Sequence, residues 1–166
     1  TAEDKAKIVQ VKVRVDSEAA AYEGVNALDG NSNTMWHTEF HKDNPSHPHE
    51  ILVDLGDRYE ISGFEYLPRP GGGNGTIDQY EFYVSDNDKD FGPPAAKGSF
   101  RRAQSANGVQ LKTARKGRYV KLVALSEVNG RPWTSIAGLE ILSEDAVFQT
   151  ASSRSAAVQA ASAAPP

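Results

Sequence analysis

Apolar residues recur at every second position along most of this chain, and that alternation limits the fold more than any other feature. In VQVKVRV, Val9, Val11, Val13 and Val15 share one face while Gln10, Lys12 and Arg14 share the other. Successive side chains of an extended chain point to opposite faces, so this is the pattern of a strand with one buried side. The same period runs through ILVDL (51–55), ISGFEYL (61–67), YEFYVS (80–85), VQLKT (109–113), RYVKLVAL (118–125) and IAGLEIL (136–142). Between them stand DLGDRY, RPGGGNG, SDNDKDFGPP and VNGRPW, whose Gly, Pro, Asn and Asp supply turn geometry. Short strands at this spacing, with no stretch of helical period, predict an all-β fold: an antiparallel β-sandwich or jelly roll.

With 166 residues and 39% hydrophobic content the chain closes one core and is short for two. The sandwich is expected over residues 1–144. Beyond Glu144 the composition turns to DAVFQTASSRSAAVQAASAAPP, with hardly any bulky apolar residue to offset the entropy of ordering. Residues 145–166 therefore read as an Ala/Ser-rich linker or disordered tail. A net charge of -4, from 18 Lys and Arg against 22 Asp and Glu, argues against nucleic acid and anionic membrane as partners. No run approaches the roughly 20 apolar residues of a membrane-spanning helix, and the N-terminus lacks a charged-then-apolar secretory pattern, so the chain as given reads as soluble. The absence of cysteine excludes disulfides, thiolate metal sites and thiol nucleophiles.

The stretch WHTEFHKDNPSHPHE, Trp36 to Glu50, contains His37, His41, His47 and His49, all the histidines of the chain. Zinc is poorly served there, because no helical i, i+4 pair is possible across Pro45 and Pro48 and no cysteine assists. No serine sits in a G-x-S-x-G elbow, and nothing picks out a carboxylate pair for glycoside cleavage. The glycines Gly71, Gly72 and Gly73 lack the Lys-Ser/Thr of a phosphate loop and read as a close-turning loop. His41, His47 and His49 are expected to be solvated loop residues. Trp36 is expected to pack inward, turning His37 outward beside Phe40.

NALDGNSNTMWHTEF, YLPRPGGGNG, YEFYVS and RYVKLVALSEVNGRPWTSIAGLEIL follow one another in an order and spacing that resembles the coagulation factor type C, or discoidin-like, domain. In particular the chain is similar to carbohydrate-binding module family thirty-two, from about residue 8 to residue 143. The resemblance implies a shallow sugar cup formed by loops at one end of the sandwich. In it His37 of WHT and Arg69 of LPR would hydrogen-bond sugar hydroxyls, Phe40 would stack on the ring, and Asn74 would add a loop contact. A family glutamate six residues before the DG aspartate corresponds to Glu23, with Glu18 an alternative. Trp133 of NGRPW is either a second wall of the cup or a core residue. The chemistry suits a pyranose, which needs a flat aromatic surface for its C–H face and fixed donors and acceptors for its hydroxyls.

The resemblance also implies a structural calcium ion behind the DG turn, held by the Asp29 carboxylate, oxygens of Asn31 and Thr34, and the carbonyls of Asn26 and Ala137. The oxygen-rich DGNSNT suits a hard cation. Gly138 departs from the family's glutamate at that position, and Glu140 lies one pair further along the strand. The implied function is a secreted, monomeric, non-catalytic module that recognises galactose-type sugars (galactose, N-acetylgalactosamine, lactose-like termini) on a galactose-containing glycan and delivers a tethered catalytic domain to it. The rival readings are a discoidin-type adhesion domain binding lipid or protein, and a small stand-alone hydrolase.

Overall fold

The computed structural model describes residues 6–71, 73–100 and 105–151. Among the described residues nine strands and one short 3-10 helix follow one another: β1 (Lys7–Val15), the helix (Gly24–Leu28), β2 (Trp36–His37), β3 (His49–Leu67), β4 (Gln79–Ser85), β5 (Ala96–Ser99), β6 (Asn107–Ala124), β7 (Ser135–Ile136), β8 (Gly138–Leu142) and β9 (Ala146–Thr150). The expected β-sandwich is the fold, and its strands run in the order β5-β4-β6-β3-β1-β9, with β8 also paired to β3 and a separate β2-β7 ribbon.

Two segments expected as separate strands, ILVDL and ISGFEYL, are joined in β3. Gly56 takes a left-handed φ of 82°, a conformation open to glycine, and donates its N–H to Asp54 Oδ1. The pairing with β6 jumps in register between Asp54 and Tyr59 and again between Ile61 and Gly63. Such irregularities bend a strand. The first half of β3 thus lies between β1 and the second half of β6, and its second half between β8 and the first half of β6. This change of neighbours converts one continuous path into two layers, a device by which sandwiches turn corners.

Alternation then fills the space between the layers. Ile51, Val53, Leu55, Ile61, Phe64 and Tyr66 of β3 are all buried, together with Phe82, Val120 and Leu122. Phe64 stacks on Phe82 at 4.3 Å between centroids, and Tyr80 on Phe100 at 4.2 Å. The Tyr66 hydroxyl donates to the Ser135 carbonyl at 3.0 Å and accepts the Ile77 N–H at 3.1 Å. Burial pushes that phenol far above its ordinary range, so it remains protonated and ties the core to two loops at the end of the sandwich.

The boundary expected at Glu144 is corrected. Ala146–Thr150 forms β9, which pairs in parallel with β1, and Ala146, Phe148 and Thr150 are buried. The segment AVFQT carries the period-two signal in miniature. One phenylalanine packed edge-on against Tyr59 at 5.1 Å supplies the apolar contact that the Ala/Ser composition concealed. The rest of the expected tail, residues 152–166, lies outside the described residues.

Candidate functional site

The short β2-β7 ribbon builds one end of the molecule. Trp36 pairs with Ile136 and His37 with Ser135. Trp36 is buried and its indole N–H donates to the Ser17 carbonyl at 2.9 Å, as expected of an inward-facing tryptophan. His37 lies beside Phe40 and lines the same cavity, but it is only 4% exposed. Two residues are too few to present an open face, and Phe40 and Trp133 from the flanking loops close over its ring at 4.7 and 6.1 Å between centroids.

His37, Phe40, Arg69, Asn74 and Trp133 line one cavity of about 210 Å³, together with Tyr22 and Met35. Five of the six sugar-binding residues expected from the resemblance therefore meet at one place, and Trp133, half-buried, is a wall of the cup rather than core. Glu23 is the exception. It is exposed, does not line the cavity, and its Oε1 accepts the Ala21 N–H at 3.2 Å. Glu18 is likewise engaged, accepting the Gly24 N–H at 2.8 Å. Both carboxylates shape the turn that presents Tyr22, whose ring stands 6.0 Å from Phe40.

The polar groups of the cup are individually defined. His37 Nδ1 lies 2.7 Å from the Thr38 carbonyl, which can only accept. Nδ1 therefore carries the proton and Nε2 is left as an acceptor. Burial lowers the proton affinity of His37, and the nearby Arg69 guanidinium also lowers it, so the neutral tautomer holds at pH 7. Arg69 brings donors; its Nε is buried and has no hydrogen-bond partner among the described residues. An acceptor and a donor thus stand beside an aromatic wall.

Residues without an obvious signal hold this arrangement. The buried Glu127 accepts the N–H groups of Gly75 at 2.9 Å, Asn129 at 2.8 Å and Arg131 at 3.1 Å, joining the Asn74 loop to the Trp133 loop. Gly75, at φ 85°, has no room for a Cβ, which would meet Ser135 within 3.0 Å. Asn44 accepts the Trp133 indole N–H at 2.7 Å. A glutamate two residues before an Asn-Gly turn was a signal for Glu127; nothing local pointed to Tyr22, Met35 or Asn44.

The expected solvation of the other histidines holds for His41 alone. His49 is fully buried, its ring nitrogens 2.7 Å from Asp16 Oδ2 and 2.7 Å from the Pro132 carbonyl. His47 is half-buried, with Nε2 3.0 Å from Thr134 Oγ1. The loop folds back because these contacts replace water. Among the described residues no three His, Asp or Glu side chains converge as a zinc site would require.

Behind the cup, the Thr34 hydroxyl lies within hydrogen-bonding reach of Asp29 Oδ2, of the Asn31 carbonyl at 3.0 Å and of the Asn26 carbonyl at 3.5 Å. A hydroxyl has one proton and cannot satisfy three acceptors. Asp29 is 9% exposed and forms no ion pair among the described residues. This surplus of buried oxygen suits a hard cation. Ala137 donates its N–H to the Leu67 carbonyl and shares a separate cavity wall with Asn31, Gly138 and Glu140. Glu140 faces Glu65 across the β3-β8 pair; burial and that neighbouring carboxylate push its carboxyl up.

A β-sandwich that closes a polar and aromatic cup with its end loops is a binding module of the discoidin-like class. Residues 12–139 match the F5/8 type C domain, and the chain belongs to that family. It is 40% identical over 131 residues to a sialidase from Micromonospora viridifaciens, covering 76% of this chain and 20% of that protein. It is 37% identical over 131 residues to galactose oxidase from Gibberella zeae, covering 78% of this chain and 19% of that protein. The chain thus spans about a fifth of the length of these relatives. A family 32 carbohydrate-binding module from Clostridium perfringens, solved with GalNAc-β-1,3-galactose, superimposes with a TM-score of 0.72 at 34% identity, covering 80% of this chain and 95% of that one. The family 32 module of C. perfringens NanJ, solved with galactose, gives 0.70 at 29% identity over 79% and 92%. The matched residues form a binding module of this kind.

Proposed function

We propose that the cup binds a galactose-type sugar and that the module delivers an attached carbohydrate-active enzyme to glycans outside the cell. The observation that carries the reading is the meeting of His37, Arg69, Phe40 and Trp133 at one cavity the size of a single pyranose ring. Galactose, with its axial O4, offers one continuous apolar face for the aromatic wall and hydroxyls for the neighbouring acceptor and donor. Relatives of solved structure hold galactose and GalNAc-β-1,3-galactose, and the relatives of known name are larger enzymes, in keeping with a tethered catalytic domain. The module acts as a monomer.

A shallow site with few contacts predicts dissociation constants of roughly 0.1 to 1 mM, so retention on a polysaccharide relies on several linked sites. The test is a glycan array with the wild type, Arg69→Ala and His37→Ala: both variants lose signal on galactosides. Wild-type binding by both variants refutes the placement of the site. Sedimentation with anionic vesicles separates this reading from lipid adhesion.

The DGNSNT turn is proposed to hold a calcium ion through Asp29, Asn31, Thr34 and the carbonyls of Asn26 and Ala137. A bound divalent cation would neutralise the crowded oxygens and brace the turn. Gly138 supplies no carboxylate there, which predicts a weaker site than a glutamate would make.

A further inference from the structure

Asn44, His47 and His49, on the stretch that leads from β2 into β3, stand outside the cup yet hold one of its walls. Asn44 Oδ1 accepts the Trp133 indole N–H at 2.7 Å, His47 Nε2 lies 3.0 Å from Thr134 Oγ1, and His49 Nε2 lies 2.7 Å from the Pro132 carbonyl. Pro132, Trp133 and Thr134 are consecutive, so the wall is gripped at its ring and on both sides of it. None of the three gripping residues lines the cup. We propose that the histidine-rich loop is a clasp that sets the Trp133 ring before a sugar arrives, and that Asn44 is a positioning residue that governs affinity through the indole. The proposal rests on the reading of the cup as a sugar site.

The contacts at Pro132 and Thr134 fix where the Trp133 backbone stands, while the Asn44 bond acts on the ring itself. An indole has a single donor, and here it is spent on Asn44. Trp133 therefore offers a sugar its face and no hydrogen bond. The Arg131 guanidinium stands over the same ring at 5.7 Å, and the His37 ring lies 6.1 Å away. A half-buried tryptophan on a loop otherwise has room to turn. Ordering such a side chain at the moment of binding lowers affinity, and a ring held in place beforehand avoids that loss.

The clasp is tied down at both ends. At its start the Glu39 N–H donates to Ser17 Oγ at 2.8 Å, and at its finish Asp16 Oδ2 lies 2.7 Å from His49 Nδ1. On the side it grips, the Thr134 N–H donates to Thr38 Oγ1 at 3.1 Å, and the Thr134 carbonyl accepts the Thr38 N–H at 3.0 Å. Asn44 lies between these ties and is exposed. Truncating it removes the bond to the indole without opening a hole in the core.

NMR titration with methyl β-galactoside of the wild type, Asn44→Ala, Asn44→Asp, Trp133→Phe and the Asn44→Ala/Trp133→Phe double variant tests the clasp. Releasing one side chain predicts binding about two- to tenfold weaker in Asn44→Ala. Asn44→Asp keeps the acceptor and retains wild-type affinity. Phenylalanine has no N–H to hold, so in the Trp133→Phe background Asn44→Ala changes nothing further. An equal loss in both backgrounds, or wild-type affinity in Asn44→Ala, overturns the clasp while leaving the cup intact. Tryptophan fluorescence without sugar is the second readout. Trp36 is buried and bonded to the Ser17 carbonyl, so acrylamide reports on Trp133, the other tryptophan of the chain. Quenching rises in Asn44→Ala and returns to the wild-type level in Asn44→Asp; unchanged quenching in Asn44→Ala overturns the clasp whether or not sugar binds. Absence of galactoside binding by the wild type overturns the sugar reading, and the effect of Asn44 on affinity with it.

Discussion

Replacing Asp16 by Asn isolates one hydrogen bond that holds the wall of the cup. His49 is fully buried, and both its nitrogens face acceptors at 2.7 Å, Asp16 Oδ2 and the Pro132 carbonyl. Two acceptors demand two protons, so the ring is an imidazolium. Burial opposes that charge, but the Asp16 hydrogen bond, the Pro132 carbonyl and the Asp16 charge together raise the proton affinity above the ordinary value. Asn keeps the acceptor for the Glu50 N–H, which Asp16 Oδ1 takes at 2.7 Å. It presents an amide to His49, which then reverts to a neutral ring donating to Pro132 alone.

A hydrogen bond to a charged group contributes about 1.5–3 kcal/mol; Asp16 is partly exposed, so about 2 kcal/mol is expected at pH 6. In a domain of this size that lowers the melting temperature by roughly 4–8 °C. The pH dependence is sharper still. A raised histidine contributes stability that is complete below its unfolded value of about 6.5 and is lost as pH rises through the folded value, at up to about 1.4 kcal/mol per pH unit. His37 and His47 are lowered, burial being the first cause in each, so they act in the opposite window, destabilising the fold as pH falls below about 6.5. Urea denaturation followed by tryptophan fluorescence from about pH 7 to pH 9 therefore reads His49 separately. The wild type loses stability across this range, and Asp16→Asn starts lower and runs flat. Equal stability and equal slope in the two proteins would refute the charged His49.

Sugar affinity should stay constant above about pH 6.5 and fall as pH drops through the lowered His37 value, because protonated Nε2 no longer accepts; calorimetry at several pH values checks this, and tighter binding in acid would contradict it. Phe148→Ala should cost about 3 kcal/mol, as large-to-small core changes do; an unchanged urea midpoint would mean that β9 is dispensable. Chelation should lower the melting temperature by roughly 5–10 °C if calcium is present at about 100 times its dissociation constant, with recovery on adding calcium and an unchanged melt counting against the ion.

The strands were legible because period two is a local property: Val9 to Val15 declare a buried face whatever lies elsewhere. The order of short motifs carried a family resemblance, and that resemblance pointed to His37, Phe40, Arg69, Asn74 and Trp133, which line one cavity. Other features carry no local mark. Burial of His49 depends on Asp16 and Pro132, 33 and 83 residues away, and the brace at Glu127 depends on Gly75, 52 residues distant. The His37 tautomer follows from the conformation that sets its ring against the carbonyl of the next residue, Thr38. Alternation of side chains sets which residues turn inward. Which polar groups are then stripped of water, and so compelled to find one another, is decided when distant loops close, because burial makes an unpaired donor or acceptor costly.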